Sequence, residues 1–186
     1  MLVLILGASG IGKSTVIDSL TENHGWLALT SYVTRPAREG ETHKRAISDS
    51  EYEAMATRGE FWSDVSQSGY RYALLSSEVN QALCDPRQIY VVDYGLENRD
   101  VFFKDHSYCT VYLTVDSKIA LEERLSAAGR SERLAAALAT FDDLERWYST
   151  FGRVEGALRI VIPVGAQLQV ASEINRVARL RISNLP

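Results

Sequence analysis

The sequence predicts an α/β protein, a three-layer α/β/α arrangement around a five-stranded parallel sheet with a small α+β insertion and a short lid. Three observations predict it. Apolar runs of strand length alternate with helical stretches along the 186 residues, as in a parallel sheet covered on both faces. The first run leads straight into Gly7-Ala-Ser-Gly-Ile-Gly-Lys-Ser14, a complete G-x-x-x-x-G-K-[ST] loop of the kind that joins a strand to a helix in such sheets. Residues 30–84 alone break the rhythm, so the chain is expected to be a single domain over 1–186 with an insertion over 32–84.

Taken in order, Leu2–Leu6 is an unbroken apolar run suited to a buried parallel strand. In the loop that follows, Gly7 and Gly12 allow a tight turn, and the main chain from Ala8 through Ser9, Gly10 and Ile11 can point successive N–H groups at one anion. Lys13 brings a charge to the β/γ-phosphates and Ser14 a hydroxyl to Mg²⁺, while Thr15 lies in the first helical turn facing the phosphate. The four fixed positions match by accident in on the order of one chain in two hundred, so the loop reads as a triphosphate site. A P-loop NTPase fold that binds Mg²⁺ and a nucleoside triphosphate, ATP or GTP, is therefore expected. A helix over 14–22 precedes the second strand, Trp26–Leu29. Further strands are expected at Ile89–Val92, Thr110–Val115 and Leu158–Ile162. Helices are expected at 117–128, 133–150 and 167–181, the first capped by Asp116 or Ser117 and stopped by Gly129.

Within 30–84, the polar, Arg-rich stretch Thr30–Arg45 with Pro36 and Gly40 reads as a loop. Ser48-Asp-Ser-Glu51 is a capping-box pattern that opens a helix through about Thr57. Short strands at Phe61–Val65 and Tyr70–Leu74 and a helix over 76–84 complete the insertion.

Composition narrows the function. A net charge of −4 and a pI near 5.4 argue against a broad basic face for nucleic acid. Cys84 and Cys109 match no metal or redox spacing and are expected to be reduced and mostly buried. His24, His43 and His106 are scattered, so Ser14 is the only metal contact expected. Met1–Leu6 is too short to span a membrane and lacks the charged region of a signal peptide. A cytoplasmic protein without membrane or nucleic-acid partners is expected, monomeric or homodimeric.

Thr34-Arg-Pro-Ala-Arg38 follows the second strand, near the carboxyl edge where ligands of open parallel sheets bind. Arg35 and Arg38 flank a stiffening proline and can clamp one phosphate bidentately, with Glu41 close enough to orient one of them. Ser31-Tyr-Val-Thr-Arg35-Pro-Ala-Arg38-Glu-Gly-Glu41 resembles the acceptor-binding segment S-x-T-T-R-x-x-R-x-G-E of guanylate kinases. Ser48–Gly59 and Glu60-Phe61 resemble that family's S-x-x-E-F helix and its G-E-F. The resemblance implies that Arg35 and Arg38 hold an acceptor phosphate and that Ser31 touches the acceptor base. It also implies that Tyr72, in Gly69-Tyr-Arg-Tyr72, reaches the phosphate and that Asp93 lines the acceptor pocket beneath the loop. Two departures stand out. Where the family carries a Glu that reads guanine, this chain has Trp62-Ser63-Asp64, and Asp64 could substitute if the register slips by one residue. The segment from Glu41 to Ser48 is about three residues shorter than in the family and lacks a phosphate-binding tyrosine. That shortened segment and the Gly-x-Arg-Tyr pattern also resemble ribose 1,5-bisphosphate phosphokinases, although Asp93-Tyr-Gly-Leu96 stands where that group has Asn-x-Ser-Arg.

Arg124, Arg130 and Arg133, in an abbreviated form of the family's R-L-x-x-R-G…R-L, are expected to act as catalytic cations with Lys13. The last two belong to a short lid over 129–140 that neutralises charge on the transferring phosphoryl group. The resemblance implies γ-phosphoryl transfer from ATP to a phosphate monoester, a nucleoside monophosphate such as GMP or dGMP. A ribose bisphosphate kinase making PRPP is the alternative. A guanylate-kinase-like binding module without catalysis is a third reading, opposed by the intact Lys13 and Ser14.

Overall fold

The structure, a computed structural model, describes residues 1–38, 40–67, 69–96, 108–163 and 165–183. In chain order the elements are β1 (Leu2–Leu6), α1 (Lys13–His24), β2 (Leu27–Ala28), β3 (Ser31–Val33), β4 (Lys44–Ala46), α2 (Asp49–Thr57), β5 (Phe61–Gln67), β6 (Tyr70–Leu75), α3 (Ser76–Cys84), β7 (Tyr90–Asp93), β8 (Tyr108–Thr114), α4 (Lys118–Ala127), α5 (Leu134–Trp147), β9 (Leu158–Val161) and α6 (Gln167–Ser183). A single 3₁₀ turn, Ser131–Arg133, joins α4 to α5, and a π turn, Tyr148–Gly152, follows α5.

The five-stranded parallel sheet expected from the alternation is present, in the order β2-β7-β1-β8-β9. All five residues of β1 are buried, and its alternation divides them between two faces. Val3 and Ile5 pack with Val16, Ile17 and Leu20 of α1, Leu121 and Leu125 of α4, and Ile174 of α6. Leu2 and Leu4 pack against Val79 and Ala82 of α3. A strand clothed on both sides needs an apolar residue at every position, which is why this segment reads as a continuous run. The chain leaves β1 between β7 and β8, so the loop after Leu6 opens at the sheet's topological switch point.

The stretch expected to be a loop, Thr30–Arg45, instead contributes two strands to a second sheet, ordered β4-β3-β6-β5. β3 pairs in parallel with β4 and antiparallel with β6. Each of the two strands is three residues long and its partners are remote in sequence, so neither shows a local period. A separate small core of Tyr32, Ile47, Tyr52 and Met55 lies between this sheet and α2. Ser48 caps α2 as its pattern suggests, its Oγ accepting from the Glu51 amide at 3.1 Å.

Elsewhere the boundaries move by a few residues. β2 keeps only two of four expected residues, although Trp26 remains buried beside it. Ser117, not Asp116, caps α4, accepting from the Ala120 amide at 3.2 Å, and Gly129 at φ +64° ends it. Cys109 is buried, but Cys84 is exposed, because it closes α3 off the face that Val79 and Ala82 bury. His106 lies outside the described residues. No helix among those described is long and apolar enough to cross a membrane, and no cluster of three potential metal ligands occurs among them.

Ser117→Ala removes the side-chain cap of the helix that carries Arg124, so a loss of about 1 kcal/mol is expected. In a chain of this size that is a Tm lower by about 2–4 °C, read by differential scanning calorimetry; an unchanged Tm would contradict the cap.

Candidate functional site

The loop between β1 and α1 is shaped by close contacts that only glycine permits. A Cβ on Gly7 would lie 2.9 Å from the Leu113 carbonyl oxygen. Gly10 and Gly12 hold φ of +83° and +102°, and a Cβ on Gly10 would also strike the Leu125 side chain. No side chain caps α1, which leaves its positive N-terminal end facing the loop as an anion site. Lys13 curls back over the loop, donating to the carbonyls of Gly7 and Ala8 at 2.7 and 3.1 Å. A cavity of ≈ 610 Å³ opens here, lined by Gly10, Gly12, Lys13, Ser14 and Thr15 together with Arg124, Arg130 and Gln167. The cradle, the ammonium and the Ser14 hydroxyl fit a magnesium-bound triphosphate by size, charge and donor type.

A second cavity, of ≈ 440 Å³, adjoins the first and lies under the second sheet. Ser9, Lys13, Arg38, Lys44, Asp93 and Arg133 line both. At the seam Asp93, which closes β7, accepts from Lys44 Nζ at 3.2 Å on one oxygen and faces Lys13 Nζ at 3.8 Å with the other. Burial alone would raise the Asp93 carboxyl, but the two ammoniums outweigh it and hold the group below the ordinary carboxylate range. Burial lowers the Lys13 ammonium, which Asp93 opposes and Lys44 reinforces.

Arg35 is 3% exposed and forms a two-pronged pair with Glu41, Nη1 on Oε2 and Nη2 on Oε1, while Nη1 also donates to the Pro36 carbonyl. Its Nε is buried with no hydrogen-bond partner among the described residues, an unmet donor at the edge of the second cavity. Arg38 stands closer to solvent, 3.9 Å from Glu41. Burial and the repulsion of Arg35 and Arg133 weaken its hold on its proton, so the position favours an anion. Ser31 and Tyr72 also line this cavity. The residues expected to hold a phosphate are thus brought together.

Asp64 is the exception. A bulge at Trp62 interrupts the β5–β6 register between Phe61 and Ser63. Beyond it Ser63, Val65 and Gln67 line the cavity. Asp64 faces the other side of the sheet, accepting from the Tyr52 hydroxyl at 2.7 Å and pairing with Arg71 at 2.9 Å. The slip foreseen as a rescue for Asp64 therefore works against it, because strand alternation gives the cavity to Ser63.

Arg124 lies in α4, the helix expected over 117–128. Its Nη1 and Nη2 donate to the carbonyls of Ile11 and Ile162. It fastens the loop to the end of β9, while lining the first cavity. Arg130 precedes the 3₁₀ turn and lines only the first cavity, whereas Arg133 reaches both. Because helix begins only at Leu134, the two do not share a helical face. Sequence reasoning passed over Lys44, Ser63, Gln67 and Tyr70, and over Glu132 and Asp143 on the side opposite the second sheet, all cavity-lining. The detectable signal was Lys44: only four of the 20 basic residues are lysines, and it stands in a tract otherwise served by arginine.

No family model matches the chain. Over 134 residues it is 30% identical to the guanylate kinase of Corynebacterium efficiens, an overlap covering 69% of this chain and 70% of that relative. It is 35% identical over 81 residues to the guanylate kinase of Neisseria gonorrhoeae, 41% of this chain. With that relative the chain spans two-fifths, 40%, of its length. Among solved structures, the guanylate kinase of Anaplasma phagocytophilum superposes with a TM-score of 0.67 at 18% identity, covering 97% of this chain and 85% of that one, which establishes the shared fold.

Glu41 is held below the ordinary carboxylate range: burial would raise it, and Arg35, with Lys44 and Arg38, overrides burial. Its stabilising contribution is therefore complete above the unfolded pKa of about 4.3 and disappears as pH falls through the lower folded value. Glu41→Gln strands a buried guanidinium and is expected to lose about 3 kcal/mol at pH 7. Urea unfolding should show this gap narrowing below about pH 4; a gap that persists undiminished in acid would rule out the ion pair as its source.

Proposed function

Because the chain belongs to the guanylate kinase family, we propose that it transfers the γ-phosphoryl group of ATP to the phosphate of a nucleoside monophosphate, GMP or dGMP foremost. The observation that carries this reading is the shared seam: the loop cavity and the Arg35/Arg38 cavity meet at Lys13, Lys44, Asp93 and Arg133. Two anionic substrates can therefore lie end to end with cations between them. Gly7–Thr15 would hold the triphosphate, and Ser14 would ligate the Mg²⁺, which when bound neutralises the β- and γ-oxygens.

Arg35, set by Glu41, and Arg38 would fix the acceptor phosphate, with Tyr72 beside them. An oxygen of that phosphate forms the new bond to the γ-phosphorus, and the electron pair of the broken bond leaves with ADP. The acceptor is already ionised, so no general base is needed. Lys13, Arg130 and Arg133 would meet the charge on the transferring group, and Arg124 would act by holding the loop. Glycine-dependent contacts and an intact Lys13 speak against a binding module without catalysis.

A second reading is favoured by one observation. Among the described residues, the cavity wall on the second sheet, which includes Ser31, Ser63, Val65, Gln67, Tyr72 and Leu74, offers no carboxylate to the N–H donors of guanine; the cavity's carboxylates, Asp93, Glu132 and Asp143, lie elsewhere on its lining. A sugar phosphate such as ribose 1,5-bisphosphate makes no such demand. An ADP-release screen over GMP, dGMP, the other (d)NMPs and ribose 1,5-bisphosphate separates the readings, and silence with all of them returns the binding module.

Lys13→Ala is expected to abolish ADP release. Arg35→Ala should raise the acceptor KM about 10–100-fold with the ATP KM little changed, since it removes a charge-assisted contact present in ground and transition states alike. A shift confined to the ATP KM would refute the acceptor assignment. Asp64→Asn should leave both KM values within about 2-fold, its effect limited to roughly 1 kcal/mol of stability through Tyr52; a large acceptor KM change would return Asp64 to the site.

A further inference from the structure

We infer that Lys44 is a third cation on the acceptor phosphate. The inference rests on the phosphoryl-transfer reading above and adds to it a residue that the phosphate-clamp pattern leaves out. Lys44 opens β4, and the parallel register sets it directly beside Ser31, so the short edge strand aims it at the same cavity. Its side chain is 14% exposed and lines both cavities at their seam.

The charges there do not cancel. Arg35 and Glu41 neutralise each other, Glu41 and Pro36 taking both Nη atoms and leaving only Nε toward the cavity. Asp93 alone faces both Lys13 and Lys44, leaving that trio with one net positive charge, to which Arg38 and Arg133 on the same seam add. An ammonium has three donors, and Lys44 Nζ makes one hydrogen bond among the described residues, to Asp93. Excess charge held largely away from water is unfavourable until an anion completes it. The acceptor phosphate lies where that anion is needed, between Arg38 and the loop. A compact ammonium at this point also offsets the repulsion between two polyanionic substrates brought end to end.

The alternative is that Lys44 merely balances Asp93 and joins the two sheets. Kinetics on Lys44→Met and Lys44→Arg, with Tm measured for each, separate the two roles. Contact with the phosphate predicts an acceptor KM raised about 10–100-fold in Lys44→Met. The ATP KM should stay within about 3-fold, the Tm should remain near that of the wild type, and Lys44→Arg should recover much of the loss. Equilibrium titration of GMP into the ATP-free protein, or of whichever acceptor the screen identifies, should weaken in parallel. An active Lys44→Met enzyme with an unchanged acceptor KM would overturn the inference and leave the kinase reading intact, as would a lowered Tm with both KM values moving together. A wild type that releases no ADP with any acceptor overturns both.

Discussion

Asp93 is the carboxylate on which the site depends. It ends a central strand of the parallel sheet, yet its two oxygens reach Lys13 at the start of α1 and Lys44 on the edge of the second sheet. Three elements, β7, α1 and β4, thus meet at one charge. Without it two ammoniums would face each other in a buried seam. Its position follows from the fold: β7 pairs with β1 so that Asp93 lies opposite Ile5, two residues before the loop begins.

Around this point the molecule separates rigidity from availability. Arg35 is buried and closed against Glu41, which gives it one geometry. Arg38, Arg130 and Arg133 are less constrained and line the open side. Exchanging a buried ion pair of this sort whole for apolar residues would change stability little, since desolvation opposes its attraction, although breaking it at one partner is costly. Its value is orientation, because the Pro36 carbonyl and Glu41 together allow the guanidinium a single direction. The second sheet supplies the remaining wall through strand alternation, and the bulge at Trp62 decides which residues that wall presents.

The parallel sheet, its helices and the loop were legible because each rests on a local pattern. Leu2–Leu6 is apolar throughout since both its faces are covered, and Gly7–Ser14 carries its geometry in its glycines. Ser48 and Ser117 announce their helices by chemistry within three residues. The second sheet was half legible: Phe61–Gln67 and Tyr70–Leu75 are adjacent and alternate, whereas Ser31–Val33 and Lys44–Ala46 acquire strand character only from distant partners. Asp64 was misread for a related reason. A bulge transfers a strand's residues between faces, and composition alone does not show where the extra residue falls. Lys44 went unnoticed because its neighbours in space, Ser31 and Asp93, are 13 and 49 positions away in sequence.

The attachment of α4 to the loop has a mechanical consequence. Leu125 fills the space beneath Gly10, and Arg124 grips the Ile11 carbonyl from the same turn. That turn cannot tilt without distorting the phosphate cradle. Any swing of Arg130 and Arg133 over the cleft must therefore bend the chain beyond Leu125. Gly129, at φ +64°, closes the helix there, its amide donating to the Ser126 carbonyl at 3.0 Å and the Arg130 amide to that of Leu125 at 2.8 Å. Arg130 and Arg133 lie beyond that stop, so the triphosphate cradle is braced by a stretch of α4 to which the lid arginines do not belong.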